Sequence, residues 1–184
     1  DNWIYERQSG LGGSGAWAAL NEKSAVTEEL NLGVGWQDPA VIQETGLCIW
    51  ESGKLPKLHL KRNVDILEGK MALLYTGKQH NTPATVDIDR DFSSIKIAGR
   101  IAALGVERND YSLLCKAVDI SYETQIDEGM EELISYEKCI AKKYCGGGYG
   151  GYGLYMFDTR DDRDIFVKKF DDAMSIEPYI REIL

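Results

Sequence analysis

The chain has 184 residues, 43% of them hydrophobic and 28% charged, with a formal net charge of -9. That length can bury a core without disulfide or metal staples, and the acidic balance argues against broad electrostatic capture of nucleic acid or of an anionic membrane, leaving a small molecule as the expected partner. Four cysteines (Cys48, Cys115, Cys139, Cys145) without C-x-x-C spacing and two histidines (His59, His80) argue against zinc and fit a reduced, cytoplasmic chain without membrane-spanning or signal segments.

Asn2 to Tyr5 is aromatic and β-branched and predicts a short strand. Gly10-Leu11-Gly12-Gly13-Ser14-Gly15-Ala16 follows, just ahead of a segment from Trp17 that favours helix. A glycine-rich loop opening onto a helix N-terminus lets backbone N–H groups approach an anion, and a serine hydroxyl there can complete a magnesium shell. Read alone, the loop is equally a flexible lead into an ordinary helix; it lacks the Gly-Lys-Ser/Thr ending of a Walker loop.

The helix runs toward Leu30 and ends at Asn31 to Gly35. Trp36-Gln37-Asp38-Pro39 predicts a compact turn, with Asp38 either capping a backbone amide or serving chemistry. Strands are expected over Ala40 to Glu51, Leu55 to Leu60 and, most clearly, Met71 to Thr76, which is short and apolar between polar flanks. Apolar residues at helical spacing predict helices over Ile88 to Leu104 and Tyr111 to Tyr136. Ile95, Ile97, Ala98, Ile101, Ala102 and Leu104 would be the buried face of the first, and Leu113, Leu114, Ala117, Ile120, Ser121 and Thr124 that of the second. Glu137 to Lys143 leads into the glycine-rich Tyr144 to Gly153, with a strand at Leu154 to Phe157 and a terminal helix over Ile165 to Ala173. The order of elements predicts an α+β fold.

Three separated pieces, GLGGSGA at Gly10 to Ala16, GVGWQDP at Gly33 to Pro39 and KYCGGGYGGYG at Lys143 to Gly153, occur in that order. Together they resemble the GHMP family of small-molecule kinases (galactokinase, homoserine kinase, mevalonate kinase, phosphomevalonate kinase), and within it the sugar-kinase branch of fucokinases and heptose-phosphate kinases. The first piece is similar to GLGSSA, the second to GGWQDQ, the third to KxCGAGGGGF. The departures are Gly13, Val34, Pro39, Gly147, Tyr149 and Tyr152.

The resemblance implies two α+β lobes, the C-terminal one ferredoxin-like, with a boundary near residue 60: residues 1–60 a partial N-terminal lobe, 61–184 the C-terminal lobe. It implies ATP and Mg2+ as cofactors and a sugar or sugar phosphate as substrate. Gly10, Leu11, Gly12, Gly13, Ser14, Gly15 and Ala16 match the phosphate cradle. Ser14 matches the magnesium position, which a glutamate completes in the relatives, here Glu28 or Glu29, and Asp38 matches the base or electrostatic orienter of the sugar hydroxyl. Gly146, Gly147 and Gly148 would support the site through close backbone approach, while Trp36 would pack on the sugar or fill the lobe interface. Nine residues precede Gly10 and sixteen separate Ala16 from Gly33, both fewer than in relatives. The expectation is an incomplete N-terminal lobe: a fragment, one piece of a split kinase completed by a second chain or copy, or a reduced homologue that binds without phosphorylating.

Overall fold

The computed structural model describes residues 25–31, 36–44, 46–79 and 90–178. They fall into two compact units, one reaching Val64 and the other spanning Asp65–Pro178. The predicted strand at Asn2 to Tyr5 and the loop at Gly10 to Ala16 lie outside the described residues.

The first unit contains helices α1 (Ala25–Asn31) and α2 (Gln37–Gln43) and an antiparallel hairpin of β1 (Leu47–Glu51) and β2 (Lys57–Arg62). The turn expected at Trp36 to Pro39 is the entry to α2, so the strand expected from Ala40 begins only at Leu47. Proline explains the shift: in the first helical turn its missing N–H has no intrahelical acceptor to lose, and its fixed φ suits the helix. Gly46 turns the chain into β1 with φ +91, where a Cβ would stand 2.8 Å from the Arg62 carbonyl. The hairpin carries a bulge between Ile49 and Trp50.

The second unit begins with a 3-10 turn (Asp65–Leu67) and β3 (Met71–Tyr75). It continues through α3 (Phe92–Arg108), α4 (Tyr111–Asp127), β4 (Cys139–Tyr144), β5 (Tyr152–Phe157), α5 (Arg160–Lys169) and β6 (Ala173–Ile176). The sheet order is β4-β5-β3-β6, every neighbour antiparallel. This is the ferredoxin-like arrangement, with a helical hairpin in place of the first helix. Alternation along β5 puts Tyr155 and Phe157 on one face and Met156 on the other. Tyr155 and Phe157 pack with Ala72, Leu74 and Phe166 of α5; Met156 packs with Ala141 and with Cys115 of α4.

Caps set the helix boundaries. Asp91 accepts the Ser93 and Ser94 N–H groups, starting α3 at Phe92 rather than at Ile88. Asn109 ends it in the left-handed conformation that asparagine tolerates, and Asp110 accepts the Leu113 N–H to start α4. The hairpin closes tightly, since a Cβ on Gly105 would lie 2.9 Å from Leu114 Cδ2. The predicted buried face of α3 is corrected: Ala98, Gly105 and Val106 are buried, whereas Ile95, Ile97 and Leu104 are exposed among the described residues. The stripe that meets α4 is set by the close approach at Gly105, not by the largest side chains.

Three further boundaries differ from expectation. Helix α4 stops at Asp127, Glu137 to Lys143 lies largely in strand β4, and the terminal helix covers Arg160–Lys169, leaving Ala173–Ile176 as an edge strand on β3. The buried Arg163 holds that edge, its Nη1 donating to the Met71 carbonyl at 3.4 Å and to Glu177 Oε1 at 3.1 Å, while the other Glu177 oxygen accepts the Gly69 N–H at 2.7 Å. Thr159 caps α5 by accepting the Asp162 N–H at 3.1 Å. Thr159→Ala is expected to lower the unfolding free energy by about 1 kcal/mol, read from the urea midpoint.

Candidate functional site

In the first unit, Asp38 occupies the second position of α2, and its backbone is therefore helical. Trp36 immediately precedes the helix, half-buried, with its ring centroid 5.8 Å from that of Trp50 at a tilt of 60°. That geometry is a normal aromatic packing pair, so part of the Trp36 ring is committed to the hairpin. Glu28 lies within α1, and the cradle residues Gly10 to Ala16 with Ser14 are outside the described residues.

The second unit holds the third glycine piece, which forms the turn from β4 to β5. Gly146, Gly148, Gly150 and Gly151 all have positive φ, and so does Tyr149 at +54. From Gly148 to Gly151 the backbone is left-handed at every residue, a path that residues with side chains follow only at a cost of about 1–2 kcal/mol each. Close approach bears on two of the glycines, and at Gly150 the neighbour is backbone while at Gly148 it is the flexible end of Met130. A Cβ on Gly150 would stand 2.5 Å from the Gln79 carbonyl oxygen, and one on Gly148 would stand 2.3 Å from Met130 Sδ. Gly146 differs, since its Cβ would point into open space with no atom within 4 Å.

The glycine turn is bonded to the turn that follows β3. Gly151 N–H donates to the Lys78 carbonyl at 2.8 Å, Thr76 N–H donates to the Gly151 carbonyl at 2.9 Å, and Thr76 Oγ1 donates to the same carbonyl at 3.0 Å. The Tyr75-Thr76-Gly77 stretch thus carries a structural partner for the glycine run.

A strap without regular structure, residues 129–137, runs from α4 to β4. Tyrosine hydroxyls pin it. Tyr149 Oη donates to the Glu128 carbonyl at 2.5 Å, Tyr144 Oη to the Glu131 carbonyl at 2.9 Å and Tyr155 Oη to the Ile134 carbonyl at 3.0 Å, while Tyr122 Oη accepts the Leu133 N–H at 2.8 Å. Lys142 Nζ adds a bond to the Leu133 carbonyl at 2.8 Å. Between the strap, the end of β3 and the glycine turn lies a cavity of about 340 Å³. Sequence reading missed the strap because it assigned this stretch to a helix; the signal available was four tyrosines at positions flanking a run of acidic residues.

Burial perturbs the ionisation of three side chains of the third piece, Lys143, Tyr144 and Cys145. Lys143 donates to Ser121 Oγ at 3.0 Å, and burial holds its ammonium below the usual lysine range. Burial pushes the Cys145 thiol up to about 11, against a smaller opposing pull from Lys143. A thiol with that pKa is almost wholly protonated at neutral pH and is no nucleophile. Iodoacetamide at pH 8 is expected to alkylate Cys145 about a hundredfold more slowly than a free cysteine, as read by peptide mass spectrometry. Among the described residues no three His, Cys, Asp or Glu side chains gather as metal ligands, and no helix is long and apolar enough to cross a membrane.

The chain is similar in structure to mevalonate kinase of L. major, solved in complex with R-mevalonate. The match covers 85% of this chain and 56% of that one, with 15% sequence identity and a TM-score of 0.53. The chain thus spans a little over half the length of that protein. No family model matches it, and no curated protein does. Mevalonate kinase is one of the enzymes that give the GHMP family its name, and the chain has the GHMP kinase fold, with a ferredoxin-like C-terminal lobe.

Proposed function

We propose that this chain belongs to an active unit that transfers a phosphoryl group from ATP to a hydroxyl of a fucose- or heptose-like sugar or sugar phosphate in the cytoplasm. The observation that carries the reading is the third glycine piece. It resembles a sugar-kinase motif in sequence, and it forms a left-handed turn bonded to the chain after β3 within a lobe of GHMP kinase fold. Its fit to a large polar ligand rests on Gly146, whose exposed backbone has open space where any other residue would carry a side chain.

In this reading Gly10, Leu11, Gly12, Gly13, Ser14, Gly15 and Ala16 would hold the phosphates through backbone N–H groups, and Ser14 with Glu28 would hold magnesium. ATP supplies the phosphoryl group, and magnesium offsets the charge on its oxygens. Asp38 would orient the sugar hydroxyl and take its proton, which suffices for a reaction that depends chiefly on positioning and electrostatics. Residues 1–60 would serve as the N-terminal lobe and 61–184 as the C-terminal lobe.

The test is release of ADP from ATP and magnesium with a panel of sugars that includes fucose and heptose phosphates. Turnover with a sugar and none without it supports the reading. A nonhydrolysable ATP analogue that binds in a calorimeter while no sugar is phosphorylated replaces it with a nucleotide-binding module. Tyr149 favours that second outcome: a glycine position of the relatives is filled here by a side chain bonded to the Glu128 carbonyl.

A further inference from the structure

We propose that the cavity between the strap and the glycine turn binds a small amine with an aromatic or apolar body, the body seated inward and the ammonium at the mouth. The inner wall is apolar, formed by Leu74, Leu133 and Tyr155 of the packed core. Ile134, at the mouth, is 52% exposed, so apolar surface continues outward to a side chain that the described residues leave uncovered. A volume of about 340 Å³ lies at the small end of ligand sites, which run from about 300 to 1,000 Å³ and are mostly apolar with a few placed polar groups.

The polar lining decides the class. The hydroxyls of Tyr144, Tyr149 and Tyr155 donate to the Glu131, Glu128 and Ile134 carbonyls, and that of Thr76 to the Gly151 carbonyl. Their protons are committed, so these side chains offer a ligand rings, methyl surface and acceptor oxygens but no donors, which disfavours a carboxylate and suits an ammonium. The charged groups at the mouth are Lys78, Glu131 and Glu132. Lys78 is ion-paired with Glu131, so among the lining side chains the Glu132 carboxylate is the unmatched charge, with the Lys142 ammonium behind the strap on the Leu133 carbonyl. A cation beside Glu132 gains Coulomb attraction, whereas an anion meets repulsion.

The test uses the full chain and three probes of one shape, 2-phenylethylamine, 2-phenylethanol and phenylacetate, followed by amide shifts in NMR titrations. The amine is expected to bind about tenfold more tightly than phenylacetate, moving the amides of Ile134, Tyr149 and Gly150. Glu131→Gln with Glu132→Gln frees Lys78 and removes both carboxylates, and should invert the order so that phenylacetate binds more tightly. Ile134→Ser should weaken all three probes severalfold. Three results overturn the proposal: equal affinity for amine and carboxylate, amide shifts that map elsewhere, or no shift at millimolar probe with the dispersed spectrum of a folded protein. The titration reads no phosphotransfer, so this proposal and the kinase reading fail separately.

Discussion

Gly150→Ala is expected to lower the unfolding free energy by about 3 kcal/mol, from two additive causes. The backbone at Gly150 has φ +119, a conformation open to glycine and strained for any L side chain. The added Cβ would also meet backbone oxygens that have nowhere to move, Gln79 at 2.5 Å and Lys78 at 2.9 Å, in the turn that the glycine run is bonded to. Relief requires the two turns to separate, with loss of the Gly151 to Lys78 and Thr76 to Gly151 bonds. Gly146→Ala is the control. Its φ of +58 is the ordinary left-handed region and its surroundings are open, so its cost should be about 1 kcal/mol. Urea unfolding of both variants measures the difference. Equal midpoints would show that backbone conformation alone, and not the approach to Gln79, reserves position 150 for glycine.

On the proposed kinase reading, Asp38→Ala is expected to reduce phosphoryl transfer by about 10²- to 10⁴-fold, the range over which a positioned proton acceptor acts, with KM for ATP little changed. Position 38 lies in the first turn of α2, so a second role competes: a carboxylate there favours the helix by about 0.3–1 kcal/mol through the dipole. The two roles separate cleanly. A helix-starting Asp38 loses a few tenths of a kcal/mol to about 1 kcal/mol on substitution and leaves the rate alone. A catalytic Asp38 loses rate at an almost unchanged urea midpoint, and Asp38→Asn, which keeps the size and removes the charge, loses it too. Normal turnover in both variants would remove Asp38 from the mechanism.

The glycine turn shows how resemblance and geometry contribute differently. In sequence, Lys143 to Gly153 matches a motif but does not say which glycines are required. The structure separates them: Gly150 is held by close approach to the Gln79 backbone, Gly148 lies against the flexible end of Met130, and Gly146 is left open to its surroundings. Trp36 shows the same limit. Its aromatic character is plain in the sequence, yet its contact with Trp50, fourteen positions later, depends on how the hairpin packs.

What the chain's own order of residues determined are the features with local causes. Met71 to Tyr75 is a short apolar run between polar flanks and can only be a buried strand. Asp91, Asn109 and Asp110 carry side chains that satisfy or relax helix ends, so α3 and α4 follow from local hydrogen bonding and backbone preference. The glycine-rich stretch before Tyr152 breaks any regular element on steric grounds. Tertiary structure decided the elements whose stabilisation comes from distant partners. Cys139–Tyr144 has two lysines in an otherwise apolar run and becomes strand β4 by pairing with β5; Ala173–Ile176 has weak local preference and becomes β6 by pairing with β3. The strap and its cavity are least legible of all, because they exist only where hydroxyls of Tyr144, Tyr149 and Tyr155 reach carbonyls 13 to 21 residues away along the chain. Backbone propensity and periodicity act within about a helical turn or a strand pair, and no pattern at that range encodes where such long-range hydrogen bonds will land.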